Sequence, residues 1–269
     1  MRVGIIGSGT RAEIRAGVVR SMPGLVLTGS FTLHPEDPDL PGLDAFLHET
    51  EVVFITGPAA VHAHVAAAAA RQGVHFFTEW PPAASLREAE AMLRLAEEAG
   101  VETGVSRPFR FHPALAARPA AWRAALIVLS IRTGPEETAL PFLADAVDLC
   151  CTLARSSTAQ RVDAEAVRSE AARLDAVAFT LRFHNGALAQ AHVRRAEPPH
   201  GLHLYAAGNG PPLDALLAAG EDDAGTPALL EAETRAFLAA LHERTTPPVS
   251  LLDGLHTLRL IERVMQRLR

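Results

Sequence analysis

Short apolar runs alternate with helical segments between Arg2 and about Ser106. The runs are RVGIIG, LVLTGSF, VVFITG, VHFFTE and VETGVS, and the segments between them are rich in Ala, Leu, Arg and Glu. Strands and helices that alternate in this way form a parallel sheet, because each helix crosses a face of the sheet before the next strand pairs. The pattern therefore predicts a doubly wound, Rossmann-type α/β domain.

Two of the helical segments have clear boundaries. One ends at Gly73 and the other at Gly100, where the end of a helix favours a residue in the left-handed conformation. Ser85 precedes the second segment and Glu88 follows three residues later, which is the pattern of a capping box. We predict a helix before each glycine.

The pattern changes after about residue 106. Longer β-like runs appear at AALIVLSIRT, DAVAFTLRFHNGALAQAHVRR and GLHLYAAGN, and helices are predicted near residues 142–153 and 227–243. Asn185-Gly186 lies between alternating apolar residues, and both positions of such a turn tolerate positive φ, so the pair indicates a β-hairpin. Consecutive antiparallel strands after a parallel set predict a second domain of α+β class, with an open and largely antiparallel sheet.

These patterns divide the chain into two domains. Residues 1–115 form the predicted dinucleotide-binding domain, and residues 116–269 form the predicted substrate and dimerisation domain. The final helical segment, LLDGLHTLRLIERVMQRLR, has apolar residues at helical spacing, and we expect it to pack back on a domain face.

Charge and cysteine content exclude several classes of function. The 269 residues carry a net charge of −6 with interspersed charges and no basic stripe, which disfavours a nucleic-acid partner. The two cysteines, Cys150 and Cys151, are adjacent in an apolar run, so we expect buried thiols and no disulfide framework. His62 and His64 diverge on a helix, and no metal site is predicted. With no signal peptide and no spanning segment in the sequence, we expect a soluble, cytoplasmic protein with no membrane partner.

The turn after the first apolar run is rich in glycine. It reads GSGTRA, a GxGxxA form of the dinucleotide fingerprint. Gly7 allows a tight turn, Gly9 lets the backbone approach a pyrophosphate, and Ala12 keeps helix and sheet close. The predicted cofactor contacts here are Gly7, Ser8, Gly9, Thr10, Arg11 and Ala12. The alternative is an ordinary strand-to-helix turn.

The second apolar run lacks the acidic residue that usually binds the ribose hydroxyls of NAD. Thr32 and His34 follow it instead, and no arginine is nearby in the sequence. Both residues are candidates for an adenosine 2'-phosphate, or they belong to an uninvolved loop. The cofactor is therefore predicted as NAD or NADP, without a preference.

Four motifs in this order resemble the Gfo/Idh/MocA family of sugar and inositol oxidoreductases. They are the glycine loop, ITGPAAVHAHVAAAAARQGVHFFTEWP, RFHPAL and PPVSLLDGLHTLRLIERV. The resemblance implies a second domain whose open sheet forms one wall of a substrate cleft and often a subunit interface. It also implies hydride transfer with a sugar-like or polyol-like substrate, and a homodimer.

The resemblance assigns further site residues. Pro58 and His62 match the Pro and His of the family after the third strand, and Glu79 and Pro81 match the outer residues of its Glu-Lys-Pro motif. The added cofactor contacts are Thr56, Gly57, Pro58, His62, Glu79 and Pro81. The interdomain segment of the family matches Arg110, Phe111 and Pro113, and we take Arg110 and His112 as substrate candidates.

Two departures from the family fall at its catalytic positions. Trp80 replaces the lysine that assists proton transfer, and an indole cannot take up a proton near neutral pH. Asp145 replaces the helix histidine, whereas Asp148 retains the aspartate of the family. The catalytic candidates are therefore Glu79, Trp80, Asp145 and Asp148.

Each departure leaves alternatives open. Trp80 either fills a gap near the domain junction or faces a ligand beside the nicotinamide. Asp145 and Asp148 form either a polar helix edge or a carboxylate pair that shares a proton. Two functions follow: an NAD(P)-dependent oxidoreductase, or a non-catalytic pseudo-enzyme that uses the dinucleotide fold for structure, sensing or protein contacts.

Overall fold

The structure is a computed structural model that describes residues 1–32, 40, 42–133, 139–168, 174–195, 201–218 and 225–268. The chain forms two compact units. The first comprises Met1–Ser106 and Pro227–Leu255, and the second comprises Arg107–Thr226 and His256–Arg269. This division differs from the predicted one at residue 115, because the chain returns to the first unit after residue 226.

The elements follow the chain in this order. Up to residue 105 they are β1 Arg2–Ile6, α1 Thr10–Ser21, β2 Val26–Phe31, α2 Leu43–His48, β3 Val52–Ile55, α3 Ala59–Arg71, β4 His75–Thr78, α4 Leu86–Ala99 and β5 Thr103–Val105. After a 3-10 turn at Pro108–Phe111 they are α5 Pro113–Ala116, β6 Ala124–Thr133, α6 Ala139–Ala154, β7 Ala159–Arg168, β8 Leu174–Phe183, β9 Leu188–Arg195, β10 Gly201–Gly208, β11 Gly210–Ala218, α7 Gly225–Glu243 and α8 Leu251–Arg267. No helix in the described part of the chain is long and apolar enough to cross a membrane.

The first sheet has the strand order β2-β1-β3-β4-β5, and all of its strands are parallel. All four residues of β3 are buried, which explains its continuous apolar run, because helices cover both faces of a parallel sheet. The predicted Rossmann-type sheet is confirmed. Its strand order reverses between β1 and β3, and ligands bind such sheets at the carboxyl ends beside this switch point.

The predicted helix boundaries are also confirmed. Ser85 Oγ accepts a hydrogen bond from the Glu88 amide at 3.2 Å. The Glu88 carboxylate accepts from the Ala84 amide at 3.1 Å, one residue before the usual partner in a capping box. Gly73 and Gly100 follow their helices with φ of 71° and 64°.

Helix α7 packs in the first unit, although it follows the strands of the second. The ring of Phe237 lies 5.8 Å from that of Phe54 and 5.1 Å from that of Phe77, between ring centroids. Phe237 and Leu238 are buried in one core cluster with residues of β1 and β3. These contacts attach α7 to the core of the first unit.

The second sheet has the order β11-β10-β6-β9-β8-β7 and is antiparallel except between β6 and β9. Along β8 the side chains of Val177, Phe179 and Leu181 are buried, while those of Ala178 and Thr180 between them are half-buried. Helix α6 packs against β6, β8 and β9. The predicted α+β domain with an open, largely antiparallel sheet is confirmed.

The hairpin between β8 and β9 forms around Asn185-Gly186, but its turn differs from the predicted one. Gly186 has φ of 86°, whereas Asn185 is not among the described residues with positive φ. The Asn185 side chain accepts from the Ala187 amide at 3.2 Å and donates to the Ala154 carbonyl at 2.7 Å. Hydrogen bonds from the Asn185 side chain thus stabilise this turn, whereas a two-residue turn relies on positive φ at its central positions.

Candidate cofactor site

The glycine loop brings the segments after β1 and β3 into close contact at Gly7. This residue has φ of 116°, and a Cβ placed on it would lie 2.6 Å from Thr56 Oγ1 and 2.8 Å from the Gly57 nitrogen. Thr56 closes the contact from the other side, because its amide and its hydroxyl both donate to the Ile6 carbonyl. Only glycine therefore fits at position 7.

Gly9 differs from Gly7, since its surroundings are open. It has φ of 90°, and a Cβ placed on it would meet no heavy atom within 4 Å. It is the N-cap of α1, and no side chain caps this helix start. The first amides of a helix lack partners within the helix, and the helix dipole makes this end positive. Ser8 and Thr10 beside it are exposed, so the loop fits an anionic group such as a pyrophosphate.

Ala12 completes the motif from within the core. It is buried in the same core cluster as Val3 and Ile5 of β1, and its small side chain lets α1 lie close to the sheet. After β2, Thr32 is exposed, and His34 lies outside the described residues.

His62 connects the segments after β3 and β4. Its two ring nitrogens lie 2.8 Å from the Gly57 carbonyl and 3.0 Å from the Pro81 carbonyl. The ring is 1% exposed, and burial lowers the pKa of His62 below its ordinary value even though both carbonyls favour the protonated ring. The family residues Gly57, His62 and Pro81 thus form one hydrogen-bonded unit, next to the cis peptide bond between Trp80 and Pro81.

Glu79 is held on both carboxylate oxygens. Arg15 Nε donates to one at 2.7 Å, and Arg11 Nη1 donates to the other at 2.8 Å. Burial alone would raise the pKa of Glu79, but the charges of Arg15 and Arg11 outweigh it and hold this pKa below its ordinary value. Glu79 is therefore an ionised carboxylate in the core of the first unit, beside the half-buried Trp80.

Arg15, which the sequence reasoning missed, is the centre of this ionic network. Its guanidinium is fully buried and donates to Glu233 at 3.0 Å and to Thr234 Oγ1 at 2.8 Å, in addition to Glu79. It also stacks over the ring of Phe77, 4.4 Å from the centroid. The signal in the sequence is an arginine at an apolar-face position of α1, whose buried neighbours include Ala12 and Val19.

The second unit holds the other candidate carboxylates. Asp148 is 2% exposed and accepts two hydrogen bonds from Arg110, at 2.9 Å and 2.7 Å. Burial tends to raise the pKa of Asp148, but the Arg110 and Arg107 charges lower it below its ordinary value. Asp145 is more exposed, and its carboxylate lies 3.9 Å from Arg107 Nη1. Both carboxylates therefore face arginines, and His112, the other substrate candidate, caps α5 by accepting from the Ala114 amide.

Comparison with known proteins identifies the first 106 residues. They match the sequence model of an oxidoreductase family with an NAD-binding Rossmann fold, GFO_IDH_MocA. The match to this family model ends at residue 106, just after the last strand of the first sheet. The resemblance inferred from the motifs is thus confirmed.

Individual proteins extend the comparison to the whole chain. UDP-N-acetylglucosamine 3-dehydrogenase from Acidithiobacillus ferrooxidans is 35% identical over 75 residues, which make up 28% of this chain and 24% of that protein. Its solved structure has a TM-score of 0.85 at 21% identity, covering 100% of this chain and 97% of that one. The whole chain therefore has the two-domain fold.

Two further structures with this fold were solved with dinucleotides. GenD2 from gentamicin A biosynthesis, in complex with NAD, has a TM-score of 0.82 at 18% identity and covers 99% of this chain and 93% of its own. Biliverdin reductase from Synechocystis sp. PCC 6803, in complex with biliverdin and NADP+, has a TM-score of 0.70 at 19% identity. The match covers 99% of this chain and 98% of that one.

Proposed function

We propose that the protein binds NAD or NADP over residues 7–12 and transfers hydride between this cofactor and a sugar-like or polyol-like substrate. The observation that carries the proposal is the contrast between the two glycines: Gly7 has no room for a side chain, whereas Gly9 opens onto free space at an uncapped helix start. The bound nicotinamide would supply the hydride chemistry. The amides after Gly9 would bind the pyrophosphate, and the exposed Thr32 is a candidate contact for the adenosine ribose.

The substrate class is supported by a relative of the domain. UDP-N-acetylglucosamine 3-dehydrogenase matches this chain by sequence over 75 residues and by fold over its whole length. Arg110 and His112 of the second unit are proposed to contact the substrate, and Asp145 is the more exposed of the two carboxylates on α6. Asp145 is therefore the candidate for proton exchange with a substrate hydroxyl.

A second function, a non-catalytic protein that binds the dinucleotide, is favoured by a specific observation. Glu79 and Asp148 are both ionised and bound by arginines, and Trp80 has no proton to exchange near neutral pH. If no other group replaces the lysine of the family, proton transfer loses about 10² to 10⁴ in rate. This function predicts cofactor binding without ordinary dehydrogenase turnover.

Titration with NADH and NADPH, followed by fluorescence and calorimetry, tests both functions. We expect binding by the native protein and a large loss in Gly9→Val, because its side chain would fill the space left for the phosphates. Equal affinity in the two proteins would contradict the proposed site. A screen of sugars, inositols and polyols then separates the functions: turnover at ordinary dehydrogenase rates would establish the oxidoreductase, and cofactor binding without turnover of any of these substrates would favour the pseudo-enzyme.

We also propose that the open face of the second sheet forms a homodimer. This face carries the half-buried Val128 and Tyr205 and the exposed Leu216 and Val167. A dimer formed through this face would bury these side chains. Light scattering should show a dimer for the native protein and a monomer for Leu216→Arg with Val167→Arg. The control is Val26→Arg, because Val26 is 59% exposed but belongs to the first unit.

A cytoplasmic location is proposed from the cysteines. Cys150 and Cys151 are buried thiols of α6 that form no disulfide, and burial raises the pKa of Cys150 well above its ordinary value. Two reduced thiols in the core fit a reducing compartment. Fractionation of the producing cell, with the protein found among cytoplasmic marker enzymes, is the expected result.

A further inference from the structure

The carboxylate of Glu79 is fixed too firmly to exchange protons with a substrate. One oxygen faces Arg15 and the other faces Arg11, and the side chain is 7% exposed. Arg15 in turn is bound by Glu233 and Thr234 of α7 and is fully buried. Because these partners hold Arg15, they also fix the position and the orientation of the Glu79 carboxylate.

Arg11 is the exposed end of this network. Its side chain is 48% exposed, and Nη1 contacts Glu79 at 2.8 Å and Ser106 Oγ at 3.4 Å. The Nε and Nη2 groups of Arg11 meet no acceptor among the residues that the structure describes. When one nitrogen of a guanidinium is bound by a carboxylate, its other N–H groups can still donate to a second anion. They lie in one plane, which suits the oxygens of a phosphate.

The position of Arg11 indicates which phosphate it can reach. It lies in the first turn of α1, and its partners Glu79 and Ser106 follow β4 and β5, on the side of β1 away from β2. The adenosine ribose of a dinucleotide lies at the end of β2, and the other half lies across the switch point. The side chain of Arg11 therefore extends toward the place where the nicotinamide half of a bound dinucleotide would lie.

We infer that Arg11 binds the nicotinamide-side phosphate of the dinucleotide and that Glu79 is the positioning residue that holds Arg11 there. The inference rests on the proposed cofactor site and adds a role that the glycine motif does not contain. Glu79 then acts through a neighbouring cation and does not exchange protons itself, in contrast to its place among the catalytic candidates.

Calorimetry with three ligands tests this inference. AMP carries only the adenine-side phosphate, whereas ADP-ribose and NADH carry both. Arg11→Gln should weaken the binding of ADP-ribose and NADH about ten- to a hundredfold, the range expected for one lost charged hydrogen bond, and leave AMP unchanged. Arg11→Lys should recover part of the loss. The matched control is Arg20→Gln, because Arg20 is exposed in the last turn of the same helix.

The role of Glu79 is tested with Glu79→Asp, which keeps a charge opposite the buried Arg15 but is too short to hold both arginines. This variant should weaken the binding of ADP-ribose but not that of AMP. In the double variant with Arg11→Gln it should cause little further loss of affinity, since the two changes remove the same contact. A purely structural role would weaken all three ligands.

The outcomes separate this inference from the proposed function. If Arg11→Gln binds ADP-ribose as tightly as the native protein does, while Gly9→Val has lost binding, the role of Arg11 is wrong. The proposed cofactor site is then still supported. Absence of NADH and NADPH binding by the native protein overturns both. Equal weakening of AMP and ADP-ribose in Glu79→Asp overturns the positioning role.

Discussion

Gly7 lies where the segments after β1 and β3 touch, and a single methyl group should disturb this contact. In Gly7→Ala the new Cβ would meet Thr56 Oγ1 and the Gly57 nitrogen at a φ of 116°. We expect the free energy of unfolding to fall by about 1–3 kcal/mol, as for other residues forced into strained conformations. Urea unfolding measures the change.

The control for this prediction lies in the helix that follows. Gly17 is in the middle of α1, and a Cβ there would meet no heavy atom within 4 Å. Gly17→Ala should leave stability unchanged or raise it by about 0.5–1 kcal/mol, because alanine favours the helix more than glycine. A similar loss of stability in both variants would contradict the argument about close contact.

His62 predicts a pH dependence of stability. Because burial lowers its pKa in the folded state, the unfolded chain binds a proton more readily. The stabilising contribution is complete above the unfolded value, near pH 6.5, and is lost as the pH falls through the lower folded value. In His62→Gln this loss should be missing, with a difference in slope of at most about 1.4 kcal/mol per pH unit. His64→Gln is the control, because His64 is exposed on the same helix.

Only some residues of the candidate site could be predicted from the sequence. The glycine fingerprint located Gly7 and Gly9 because their backbone requirements are local. Arg15 was missed because its partners Glu233 and Thr234 are more than 200 residues away in the chain, and no local pattern records such a distance. The ionic binding of Glu79 follows from the same network, so resemblance alone could not identify it.

Single elements differ in how visible they are in the sequence. Strand β6 lies in the interior of its sheet and was predicted over its full length, because half of its side chains are buried. Strands β7 and β11 were not predicted. They form the two edges of the sheet, where fewer apolar residues are needed, and β11 even contains Pro211 and Pro212.

Helix α7 should depend on one aromatic side chain for its attachment. Phe237 is 1% exposed and packs against Phe54 and Phe77, so Phe237→Ala should lower the free energy of unfolding by about 3–5 kcal/mol. Chemical denaturation is the measurement. Glu231→Ala on the exposed side of the same helix serves as the control and should change stability by less than about 0.5 kcal/mol.

At the scale of the whole molecule, the first unit is discontinuous in sequence. A fragment of residues 1–115 would lack Phe237 and would leave Arg15 without Glu233. Losing one partner of a buried ion pair costs about 3–5 kcal/mol. We expect this fragment to unfold without a cooperative transition, as followed by circular dichroism. Joining residues 227–255 to residues 1–106 through a flexible linker should restore the transition; a cooperative fragment 1–115 would contradict this.

The return of the chain to its first unit also sets an order of events during synthesis. The ribosome releases the five parallel strands long before it has made α7, which is the element that covers Phe54 and Phe77. Until then these aromatic side chains stay open to other hydrophobic surfaces, and nascent chains with such exposure are prone to aggregate. We therefore expect the newly made first unit to need protection from aggregation while residues 107–226 are being translated.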